Sequence, residues 1–103
     1  MITGKLSNGF KFEVDEEALK SAEFRDLLAG TVADDMATKI SANAELLSFM
    51  IGDKAKKELY ALIREQDGSK YVSVEKIDAL TLELMGLLES ADKDIKNSES
   101  SPT

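Results

Sequence analysis

The chain has no histidine, no cysteine and no tryptophan. Without histidine it lacks a proton shuttle that titrates near neutrality, and without cysteine it lacks a thiol nucleophile. Those absences remove most of the chemistry by which small proteins act as enzymes, so a protein that works by binding is expected. Long apolar runs are missing as well. The longest, Leu46 to Ile51, is broken by Ser48, far short of the ~20 residues that span a bilayer. The start, Met1-Ile2-Thr3-Gly4-Lys5, has no apolar core of the secretory kind. A cytoplasmic protein that does not associate with membranes is expected. The six glycines are dispersed and no Gly-Lys-Ser/Thr occurs, so there is no phosphate-cradling loop.

What is present is acidic and moderately apolar. The 103 residues carry a formal net charge of −7 and are 43% hydrophobic, enough for one modest core. An acidic surface repels phosphate backbones, and nucleic-acid binding is not expected. The only basic run, Lys54, Lys56 and Lys57, reads as a solvated helix face. A helix-turn-helix around Gly52 would set Glu58 and Glu65 beside phosphates.

Along the chain, Phe10, Phe12 and Val14 alternate with polar neighbours, as do Ile2, Gly4 and Leu6, which is strand periodicity. Asn8-Gly9 between them suits a tight turn with both residues at positive φ. The expectation is a β-hairpin over residues 1–14. Asp15 caps a helix that begins Glu16-Glu17, carries Phe24, Leu27 and Leu28, and stops at Gly30. Asp34 or Asp35 caps a longer helix to Ile51, with Met36, Ile40, Leu47 and Ile51 within about 60° of arc as its apolar stripe. Gly52-Asp53 separates it from a helix whose inner face is Ala55, Leu59, Leu62 and Ile63. Asp67-Gly68 ends that helix, Tyr71-Val72 forms a short extended piece, and Ser73 caps a final helix. The core face of this last helix is Ile77, Leu80, Leu84, Leu87 and Leu88. From Asp92 onward the chain is polar, with a composition that cannot bury a core. The fold expected is mainly α: about four helices with an N-terminal hairpin, one domain over residues 1–91 and a disordered tail over 92–103.

Few constellations carry chemistry. In Arg64-Glu65-Gln66-Asp67-Gly68, a calcium loop with Gly68 at its turn would put Ile63 first and Val74 last, and neither supplies oxygen. The acid clusters Asp15/Glu16/Glu17 and Asp34/Asp35 read as helix caps. No catalytic residue, metal or cofactor is expected. The surplus is apolar: Phe49, Leu82 and Met85 lie off the stripes that a core requires. They are the first candidates for contact with a client or another subunit, with Phe10 and Phe12 second.

The order of these signals resembles the tail assembly chaperones of long-tailed phages of Gram-positive bacteria, in particular the small lactococcal and streptococcal kind. The likeness rests on the strand pair leading into Asp15-Glu16-Glu17 and on Ser21-Ala22-Glu23-Phe24-Arg25-Asp26-Leu27-Leu28. It continues through Glu45-Leu46-Leu47-Ser48-Phe49-Met50-Ile51-Gly52-Asp53, Lys57-Glu58-Leu59-Tyr60 and Tyr71-Val72-Ser73-Val74-Glu75. It spans about residues 1–90, and Thr31 to Asn43 has no familiar counterpart. The resemblance implies a homo-oligomer that coats apolar helical stretches of a tape-measure protein and recruits tail-tube protein, in the host cytoplasm and outside the mature virion. It implies no catalytic site. A small acidic adaptor or regulator that engages a basic protein is the alternative expectation.

Overall fold

The computed structural model describes the backbone of residues 1–100 and the side chains of residues 1–91; of the disordered tail expected over 92–103, the last three residues and the side chains of 92–100 lie outside the described residues. Strand β1 (Ile2–Lys5) pairs antiparallel with β2 (Lys11–Val14), with Ile2 opposite Val14 and Gly4 opposite Phe12. This register puts Ile2, Leu6, Phe10, Phe12 and Val14 on one face, and all five are buried. Gly4 leaves room on that face for the Phe12 ring, whose Cζ would stand 2.7 Å from a methyl group at Gly4.

The turn differs from the expected one. Only Gly9 takes positive φ, 95°. The Leu6 amide donates to the Phe10 carbonyl at 2.8 Å and the Gly9 amide to the Leu6 carbonyl at 2.9 Å. Ser7-Asn8-Gly9 is therefore a three-residue loop, the next commonest hairpin solution after the two-residue primed turn. Asn8 is held out of the left-handed region because its Oδ1 accepts the Phe10 amide at 3.1 Å.

Among the described residues five helices follow: α1 (Glu16–Leu19), α2 (Ala22–Thr31), α3 (Met36–Ile51), α4 (Asp53–Asp67) and α5 (Val74–Ser100). The first expected helix is split in two by Ser21. Its hydroxyl donates to the Ala18 carbonyl at 2.7 Å and accepts the Phe24 amide at 3.1 Å. One serine thus closes α1 and caps α2. Asp15, Asp35 and Ser73 cap α1, α3 and α5 as expected, through the amides of Glu17, Thr38 and Lys76. Gly68, at φ 62°, ends α4 in the left-handed conformation. Tyr71-Val72 forms no strand; Val72 leans on the core while Tyr71 is exposed.

Gly30 does not stop α2, which runs on to Thr31. Its role is close approach: a methyl group there would lie 2.7 Å from the Ala42 Cβ of α3. With Phe24 stacked on Phe49 at the other end, the two helices run antiparallel. The stripe expected on α3 is covered only in its second half. Leu47 is buried and Ile51 partly so, whereas Met36 and Ile40 are 68% and 62% exposed. The residues that α3 buries are Ala42, Leu46, Leu47 and Met50, because the helix outruns the hairpin and α4 beneath it. On α5, Ile77, Leu80, Leu84 and Leu88 are buried as expected, but Leu87 is 40% exposed at the edge of that face.

The core forms where the hairpin's apolar face meets Leu46, Leu47 and Met50 of α3, Leu59 and Ile63 of α4, and the buried residues of α5. Two polar clamps fix the hairpin tip. Ser7 donates its amide and hydroxyl to the Glu83 carboxylate at 2.6 and 2.7 Å, and Gln66 Nε2 donates to the Asn8 carbonyl at 2.8 Å. A Lys76–Asp67 ion pair ties the start of α5 to the end of α4. Among the described residues no helix is long and apolar enough to cross a membrane.

Two outcomes are expected from this packing. Gly30→Ala lowers the melting temperature although alanine is the better helix former, and adding Ala42→Gly in the same chain restores part of the loss. Thermal unfolding of the three variants measures it. Asp35 also leaves a pH signature. Hydrogen bonds from the Thr38 hydroxyl and amide hold its carboxyl below the ordinary value of 3.8. The stability it contributes is complete above that value and is lost as pH falls through the lower folded-state pKa. Unfolding curves from neutral to strongly acid pH show the gap between wild type and Asp35→Asn closing only at the acid end.

Candidate functional site

An apolar hollow of about 630 Å³ lies where α1, α2 and the first strand meet the solvent side of α5. Its position follows from the hairpin. β1 packs on α5, whereas α1 and α2, which follow β2 in the chain, pack on each other and on α3, so the flank of α5 that faces them is left open. Two short helices do not fully cover a long one, and a trough remains between them.

One wall is built by Leu19 of α1 with Phe24 and Leu28 of α2, all half-buried. The other wall is α5, through Leu82, Met85, Gly86 and Glu89. These four positions recur at intervals of three and four residues, the spacing of a helix seam made for another helix. Ile2 and Leu88, both buried, form the floor. The charged side chains lining it among the described residues are Glu16, Lys20 and Glu89, and Glu16 is paired with the N-terminal ammonium of Met1 at 3.7 Å, so little of the chain's −7 lies there.

Of the candidates read from sequence, the structure brings Leu82 and Met85 together in this trough. Leu82 is 69% exposed; Met85 is half-buried against the core. Phe49 stands outside it. Its ring stacks on Phe24, with centroids 6.3 Å apart and planes 18° from parallel, within the range of a favourable aromatic pair. Phe49 thus backs the Phe24 wall. Phe10 and Phe12 are corrected: both are buried in the protein's own core. A two-stranded hairpin needs that face covered to persist in water, and these rings are what its covering helices seal. The basic run is likewise partly internal. Lys56 Nζ reaches the Ala44 carbonyl at 3.4 Å and lies 5.6 Å from the Tyr60 ring centroid, joining α4 to α3.

Sequence reasoning missed Leu19, Phe24, Leu28 and Gly86 as lining residues. The seam Leu82, Met85, Gly86 and Glu89 was visible as spacing, and a glycine inside it was its strongest sign. Val32, at the end of α2, and Met36 and Ile40, in the first half of α3, are exposed apolar side chains outside the trough.

The arrangement holds no covalent chemistry among the described side chains that would use the trough. It presents an open, apolar, nearly neutral surface between helices, the kind of site that accepts an amphipathic helix. No family model, curated protein or solved structure matches the chain.

If the trough is surface and not core, its residues contribute little to folding. Leu82→Ser changes the unfolding free energy by less than about 0.5 kcal/mol. Leu84→Ala, two residues further on and facing inward, costs about 2–5 kcal/mol. Urea unfolding of both variants checks the contrast.

Proposed function

We propose that the protein is a phage tail assembly chaperone that multimerises and coats apolar helical segments of the tape-measure protein before the tail tube polymerises. It acts by binding, in the host cytoplasm, and hands the coated client to tail-tube protein. The observation that carries this reading is the trough. An exposed leucine beside a half-buried methionine, walled by helices and set on a chain of net charge −7, joins a sticky surface to a soluble body. Apolar client segments would be shielded in the trough while the acidic exterior keeps the coated complexes apart. The phage identity of the client comes from the sequence resemblance, and the trough supplies a physical means for it.

The alternative, an acidic adaptor for a basic partner, would place its carboxylates at the docking surface. The near-neutral rim gives it little support.

Co-expression with an apolar helical fragment of a tape-measure protein tests the proposal. Wild type keeps the fragment soluble and co-purifies with it. Leu82→Glu, which folds normally because the position is exposed, leaves the fragment insoluble. A fragment that aggregates equally with wild type and with the empty vector would overturn the reading.

A further inference from the structure

The chain holds six glycines, and five have an internal reason to be glycine. Gly9, Gly52 and Gly68 sit at positive φ. Gly4 and Gly30 each face a neighbouring side-chain atom that a methyl group would meet at 2.7 Å. Gly86 has neither reason. It lies within α5 at an ordinary helical φ, and among the described residues a methyl group there would meet nothing within 4 Å. Glycine is the second-worst residue for a helix interior, and here no turn or packing contact of the folded chain uses it.

Gly86 lines the trough, between Leu82 and Glu89 on the seam of α5 and next to Met85. A missing side chain at this point deepens the groove and bares the helix backbone. Such a notch lets a second helix cross closely, or seats one large side chain of that helix. The rim adds the chemistry of the occupant. Glu16 is paired with the N-terminal ammonium of Met1 at 3.7 Å, and Lys20 stands on the same rim as Glu89, so little net charge recognises a strongly basic partner and fit to the apolar walls must dominate.

We infer that Gly86 is the specificity-determining position of the trough. It selects a helix of another polypeptide whose seam is apolar and near-neutral, and which places one large aliphatic side chain over the Gly86 notch. This rests on the proposal that the trough is a client site, and adds to it which helix is accepted and where it crosses. The binding surface is thereby tuned at the expense of helix stability.

The test uses the full chain and a fluorescently labelled synthetic helix with a leucine seam and neutral side chains elsewhere. Three proteins are compared: wild type, Gly86→Ala and Gly86→Leu. Both variants are expected to melt higher than wild type, Gly86→Ala by roughly 4–8 °C. Affinity is expected to move the other way, several-fold weaker for Gly86→Ala and at least about tenfold weaker for Gly86→Leu. Raising salt from about 0.05 M to about 0.5 M is expected to change wild-type affinity by less than about threefold. Opposite movement of stability and affinity separates a notch kept for a partner from a merely structural glycine.

If both Gly86 variants bind as wild type does while Leu82→Glu abolishes binding, the role of Gly86 is overturned and the client site stands. If wild type does not bind the helix, both fall. A steep loss of affinity with salt overturns the near-neutral partner. Binding of palmitate in place of the helix overturns a polypeptide occupant.

Discussion

A two-stranded hairpin cannot support itself, and the rest of this chain is arranged to cover one. Its inward face, Ile2, Leu6, Phe10, Phe12 and Val14, is buried against α3, α4 and α5. Burying side chains of this size contributes about 1.5–3 kcal/mol each for the larger ones, a large share of the stability available to so small a domain. The clamps from Glu83 to Ser7 and from Gln66 to Asn8 join the tip to α5 and α4, elements more than fifty residues away in sequence. Loss of the hairpin would expose the centre of the helical layer, so the strands and helices form as one unit.

The same constraint produces the trough. β1 lies on α5, while α1 and α2, broken apart at Ser21, pack on α3 and only border the flank of α5. The break turns the chain so that Phe24 stacks on Phe49 and Gly30 meets Ala42, which commits α2 to α3 instead of α5. What α2 cannot cover, Leu82, Met85 and Gly86, stays open.

Much of the fold was legible because its signals are local. The Asp15, Asp35 and Ser73 caps, the glycine ends at Gly52 and Gly68 and the alternation around Phe12 each depend on a few neighbouring residues. What was misread depends on partners distant in sequence. Gly30 looked like a stop signal because its true neighbour, Ala42, lies in the next helix. Met36 and Ile40 belong to a real stripe, but periodicity cannot say how far along a helix its cover extends. Ser21 had the composition of a cap, yet a preceding cap at Asp15 made one continuous helix an equally good reading. For the site, Leu82 and Met85 were visible as surplus on α5, while Phe10 and Phe12 could not be told from surface aromatics until the hairpin had something to pack on.

The exposed apolar groups bear on how apolar surface and charge are distributed over the molecule. Leu82 stays largely in contact with water, and α5 carries a glycine where alanine would favour the helix by about 1 kcal/mol. Neither choice serves the folded monomer, whose total stability is of the order of 5–15 kcal/mol. A sequence selected for folding alone would fill the notch and place a charge at position 82. Acid residues elsewhere offset the hazard of leaving them: the net charge of −7 sits almost wholly outside the rim. Long-range repulsion between copies is therefore kept, while the trough itself is mainly apolar and carries its two carboxylates, Glu16 and Glu89, among the residues of its rim. Separating charge from contact in this way favours a partner recognised by shape and apolar area, and it disfavours one drawn in by opposite charge.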